Sequence, residues 1–172
     1  MRDHKAFMWV DASIRFSPCI IGKLPGARAK LASSGILMLR HSRDMLYGTT
    51  NPGLYHYLPT NLTLYRPLHT YGAGTAIIGR NMNFTRGVMR WLILCALDAK
   101  CIAPPGATFS CQESKVYKGL FAKCHRYDHS VLGVLSANHF DFNTRRYTND
   151  VLIKCFKVKR GSITITPIKP IC

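Results

Sequence analysis

Apolar residues along this chain alternate between short continuous runs and helical spacing, and the changes of pattern mark its elements. Ala6-Phe7-Met8-Trp9-Val10 is a continuous apolar run closed by Asp11, the pattern of a buried parallel strand. Pro18, Gly22, Pro25 and Gly26 then predict a loop, after which Gly35-Ile36-Leu37-Met38-Leu39 reads as a second strand. Pro52 suits a first helical turn and Asn51 a cap, so a short helix is expected to about Leu58. Pro59 and Pro67 bracket a polar loop or short strand. Residues 72–79 are small and apolar, a strand that a neighbour approaches closely. With Asn83 as cap, Phe84, Val88, Trp91, Leu92 and Cys95 recur at helical spacing, until Pro104-Pro105-Gly106 forms a cysteine-bracketed loop. A second clear helix is predicted from about His125 to Asn138, with Tyr127, Val131, Val134, Leu135 and Asn138 on one face. Residues 151–158 alternate as a terminal strand, and residues 163–168 read as another. This order belongs to the α/β class: one domain over 1–172, a mixed sheet flanked by helices.

Composition narrows the partners. Hydrophobic residues make up 47% and charged residues 19% of 172 residues, which is the balance of a folded chain. The net charge of +16 attracts anions in general. The basic residues are scattered, however, and no Lys/Arg tract is interleaved with stacking aromatics, so nucleic acid is not an expected partner. The longest apolar run, residues 91–97, is far too short to span a membrane. Cys95, Cys101, Cys111 and Cys124 lack the Cys-x-x-Cys spacing of a zinc knuckle and read as two disulfides, with all three pairings open. Asn61-Leu62-Thr63 and Asn83-Phe84-Thr85 have the form of N-glycosylation sites, which also favours the secretory pathway. Met1-Arg2-Asp3-His4-Lys5 runs into the first strand without an apolar targeting segment. A further amino-terminal portion is therefore expected.

Carboxylate chemistry must come from only eight Asp and Glu residues. Asp11-Ala12-Ser13 closes a strand, where α/β folds commonly place ligand chemistry; the plain alternative is an aspartate making turn hydrogen bonds. In Cys124-His125-Arg126-Tyr127-Asp128-His129-Ser130, two histidines stand at i and i+4, a zinc-binding spacing on a helix. The alternative there is a helix start with Asp128 near the positive end of the dipole. Lys157 and Lys159 share one face of a strand and could meet a diphosphate together, or protect a solvated edge.

Taken in order, several segments carry a resemblance: residues 9–16, residues 51–59, residues 72–81, Trp91 to Leu97 with Cys101-Ile102-Ala103-Pro104, and residues 124–130. The set resembles an animal family, greatly expanded in nematodes, whose members look like Golgi glycosyltransferases of the GT-A kind. The match covers residues 9–147 and implies the carboxy-terminal part of that domain. It implies transfer of a sugar from a nucleotide sugar to a glycan or protein acceptor, with activity in a longer form that carries the nucleotide-binding half. Asp11 would hold a divalent cation, Mn2+ or Mg2+, at the donor diphosphate, with Ser13, Lys157 and Lys159 beside it. Asp128 would be the catalytic carboxylate, and His125, Arg126, His129, Gly74, Arg80 and Asn81 would contact substrate. A different class of reading also fits: a non-catalytic lumenal or secreted module that binds acidic glycans through its positive charge.

Overall fold

The computed structural model describes residues 5–39, 44–71 and 74–159, and the strand expected at 163–168 lies outside them. A three-stranded sheet has the order β1-β4-β3, where β1 is Ala6–Val10, β3 is Ile36–Met38 and β4 is Thr75–Gly79. Both pairings are antiparallel, with Trp9 opposite Ala76 and Leu37 opposite Ile77. The expected buried parallel strand at residues 6–10 is therefore antiparallel, and stands at the sheet's edge among the described residues. Phe7 and Trp9 stand exposed while Met8 and Val10 pack inward, so an apolar run conceals a strand with only one buried face. The short strands β2 (Ile14–Phe16) and β5 (Phe156–Val158) make a second, antiparallel sheet.

The segment punctuated by prolines and glycines is not a loop. Helix α1 runs Cys19–Ser34 with Pro25 inside it. Tertiary packing overrides propensity here: Ala27 and Leu31 are buried with Leu37 and Ile77, and the Cys19–Cys155 disulfide holds the helix start. Gly35 ends α1 in the left-handed conformation, φ +76°, and its N–H donates to the Leu31 carbonyl. A Cβ at Gly35 would strike Phe84 Cβ and come within 2.9 Å of Asn81 Cβ. Gly35→Ala is therefore expected to lower stability by about 3 kcal/mol, read as a lower urea midpoint at unchanged slope. A loss below about 1 kcal/mol would show that this crossing relaxes easily.

Asn51 caps the short 3₁₀ helix Pro52–His56 as expected, its side chain accepting from the Gly53 N–H. Between Pro59 and Pro67 stands a helical turn, α2 (Leu62–Tyr65), rather than a loop or strand. The Asn61 side chain accepts from the Thr63 and Leu64 N–H groups and starts that turn. The next helix begins earlier than its sequence suggests, because Asn81, not Asn83, accepts from the Phe84 N–H. It comprises α3 (Met82–Phe84), a π turn (Thr85–Met89) and α4 (Arg90–Leu97). Phe84, Val88 and Cys95 are buried, but Trp91 is half exposed. Asp98 caps α5 (Ala99–Ile102), which Cys95–Cys101 clips to α4. A turn α6 (Glu113–Val116) follows in the loop that Cys111–Cys124 closes.

Helix α7 (Asp128–His139) crosses the main core, with Val131, Val134 and Leu135 buried as its pattern predicts. It starts three residues later than His125, because Tyr127 sits at φ +43° and breaks the helical path. In the expected terminal strand only β5 is extended. Leu152–Cys155 is a 3₁₀ turn that lets Cys155 reach Cys19.

Candidate functional site

Asp11–Ser13, Gly74 and Lys157–Lys159 are three segments far apart in sequence, and backbone hydrogen bonds join them just beyond the carboxyl end of β1. Asp11 donates its N–H to the Gly74 carbonyl at 2.7 Å, and its Oδ1 accepts from the Ser13 N–H at 2.7 Å. Lys159 donates its N–H to the Ser13 carbonyl at 2.8 Å, extending the β2–β5 ladder by one pair. Within that ladder Arg15 lies opposite Lys157. Directly opposed residues of an antiparallel pair share a face, so Arg15, Lys157 and Lys159 form one exposed basic face while Ile14 and Phe156 enter the core. A Cβ on Gly74 would sit 3.1 Å from Asp11 Cβ, so only a small residue lets these segments meet.

The residues around α7 divide into spent and exposed groups. His125 is fully buried: its Nδ1 accepts from the Asn51 N–H at 3.1 Å, and its Nε2 lies 3.1 Å from the Ile102 carbonyl. That pair requires the tautomer protonated on Nε2. Burial lowers the His125 pKa, against the Ile102 carbonyl, which favours the charged form. Arg126 lies over the Phe109 ring at 4.5 Å, and its backbone N–H donates to Ser130 Oγ and the Thr49 carbonyl. Asp128 is exposed in the first turn of α7. His129 keeps Nε2 buried without a hydrogen-bonding partner among the described residues. Its pKa is lowered by burial first, with Asp128, the Tyr71 backbone and Asp44 acting in the opposite sense.

Arg80 and Asn81 lie at the other end of β4, roughly 20 Å from Gly74 by strand rise. Arg80 is exposed and donates its N–H to the Lys5 carbonyl. The Asn81 amide is engaged within the fold, accepting from the Phe84 N–H and donating to the Ala32 and Ser33 carbonyls. The substrate group expected from sequence is therefore split between two ends of the sheet.

Two adjoining cavities went unread in the sequence. One, of about 480 Å³, is polar and carries Arg86, Arg146, Asn81 and Asn83; the other, of about 360 Å³, carries Tyr57, Trp91 and Leu135. Gly87 and His139 line both. Burial and the Arg146 charge lower the His139 pKa, while Asp141 opposes them. The one available signal was Trp91, an aromatic that helical spacing assigned to the core.

Among the described residues no group of three or more His, Cys, Asp or Glu could hold a metal ion. Nor is any helix among them long and apolar enough to cross a membrane. Cys19–Cys155, Cys95–Cys101 and Cys111–Cys124 are disulfide-bonded, which fits a secreted or lumenal protein. Comparison with known protein families, with curated proteins and with solved structures finds no match.

Proposed function

We propose that this chain is part of a nucleotide-sugar glycosyltransferase of the Golgi lumen, and that the Asp11 corner is its donor-diphosphate site. The observation that supports the reading is the backbone hydrogen bonding that joins Asp11–Ser13 to Gly74 and to Lys159, beside the exposed face of Arg15 and Lys157. A leaving diphosphate accumulates negative charge, which the two lysines would offset, while the Arg15 guanidinium donates to the Ala12 and Ile14 carbonyls and adds charge nearby. Asp11 is exposed, with Oδ1 accepting from the Ser13 N–H; a hard cation at the donor diphosphate would be held by this one carboxylate and completed by phosphate oxygens and water. When bound, that cation would supply further charge stabilisation to the leaving group. Among the described residues β1 stands at the edge of its sheet, with Phe7 and Trp9 exposed on its outer face, which suits the addition of further strands from a nucleotide-binding half. Asp128, exposed in the first turn of α7, would be the carboxylate that takes the acceptor hydroxyl's proton.

Inorganic pyrophosphate with Mn2+ is the direct probe, since it needs no base or ribose pocket. Calorimetry on this chain should give saturable binding that Lys157→Ala/Lys159→Ala weakens about a hundredfold and Asp11→Ala about tenfold. Equal affinity in the lysine pair and the parent would remove the diphosphate role from this corner.

The charge-driven glycan-binding module has its own supporting observation, the cavity bearing Arg86 and Arg146.

A further inference from the structure

We propose that the cleft between the π turn and the end of α7 binds an anionic saccharide, a sugar unit carrying a sulfate or carboxylate group. The site shares no residue with the Asp11 corner and stands or falls independently of it. Its two halves match the two halves of such a ligand. Arg86 and Arg146 present guanidinium groups, the donors best shaped for a planar carboxylate or a sulfate edge. Trp91 and Tyr57, 49% and 42% exposed, line the other half; Arg90 lies over the Trp91 ring at 5.9 Å, leaving one ring face of Trp91 and that of Tyr57 for the C–H face of a pyranose.

The cleft is built by the backbone. A Cβ on Gly87 would stand 2.5 Å from His139 Nδ1, so the π turn with a glycine at its centre is what admits the imidazole as the wall between the halves. Arg86 forms no ion pair among the described residues; Arg146 lies over the Phe140 ring at 5.3 Å, and its one ion pair there is with Asp141, at 3.5 Å between exposed groups. So exposed a pair holds its arginine weakly, leaving it to a stronger anion. The π turn also accounts for Trp91: an inserted residue rotates α4 relative to α3, turning this side chain from the core towards the cleft.

Net charge alone would draw any polyanion, so the test must separate a site from a field. Asn83 lines the polar half and belongs to a glycosylation triplet; protein folded oxidatively in a bacterial host carries no glycan there. Calorimetry at fixed physiological salt would compare a heparin-derived tetrasaccharide, its desulfated uronate-bearing counterpart, sodium sulfate and an oligothymidylate of equal charge. The proposal expects one saturable saccharide site, weakened about tenfold by Arg86→Ala and several-fold by Trp91→Ala, in variants whose circular dichroism matches the parent. Lys118→Ala removes the same charge outside the cleft and should change affinity by less than about twofold. Binding by either the sulfated or the desulfated sugar supports the site and assigns its anion. Equal losses in Arg86→Ala and Lys118→Ala, or sulfate or oligothymidylate binding as tightly as the saccharides, would overturn it.

Discussion

Replacing Cys19 and Cys155 together by alanine is expected to cost about 5 kcal/mol, the largest effect of any change at a disulfide here. The bridge joins residues 136 apart in sequence, against 6 for Cys95–Cys101 and 13 for Cys111–Cys124. Chain-entropy arguments make the long closure most stabilising, with about 2 and 3 kcal/mol for the shorter two. The local architecture points the same way. The Leu152–Cys155 turn and β5 reach the rest of the fold through α1, β2 and a small apolar group including Leu31, Leu37 and Phe156. Without the bridge, α1 keeps its internal proline and loses the tether at its first residue. Urea unfolding should therefore show either a much lower midpoint or an early separate transition assigned to α1, β2 and β5. A double variant as stable as the parent would mean that packing alone holds this layer.

That bridge had no signature in the sequence. Cys95, Cys101, Cys111 and Cys124 read as two disulfides with the pairing open, and they pair as Cys95–Cys101 and Cys111–Cys124; Cys19 and Cys155 are linked only by a fold that brings opposite ends of the chain together. The same distinction runs through the elements. α7 and the Phe84–Cys95 helix were legible because a long apolar stripe of helical period matches no strand or loop pattern. β1 was legible as a strand but not in direction or burial, since a five-residue apolar run carries no record of its neighbours. α1 was illegible because its glycines and prolines argue locally for a loop, while Ala27 and Leu31 are placed by contacts with β3 and β4. At the site, strand alternation put Lys157 and Lys159 on one face, and the fold sets Lys157 opposite Arg15 and bonds the Lys159 backbone to Ser13. The i,i+4 spacing of His125 and His129 misled, because the positive φ of Tyr127 takes His125 off the helix. Nothing in the sequence distinguishes a histidine that staples two loops from one that meets a ligand.

That stapling role sets the second large effect: His125→Leu is expected to lower stability by about 4 kcal/mol. Leucine keeps most of the volume, so the cost comes from polarity. The Asn51 N–H and the Ile102 carbonyl each lose a buried partner, at about 1–3 kcal/mol apiece, and the helix cap at Asn51 is loosened from α5. The pH dependence separates this from a simple packing defect. Burial holds His125, His129 and His139 below the ordinary histidine value, so the unfolded chain binds protons that the fold refuses. Their contribution is complete above about pH 6.5 and declines as pH falls from there towards the depressed folded values. His125→Leu removes one of those protons. Its stability should therefore fall less steeply than the parent's between pH 6.5 and pH 5, and the two curves should converge on acidification. Parallel curves would show that His125 enters both states with the same charge, and that its two backbone contacts are not the source of the loss.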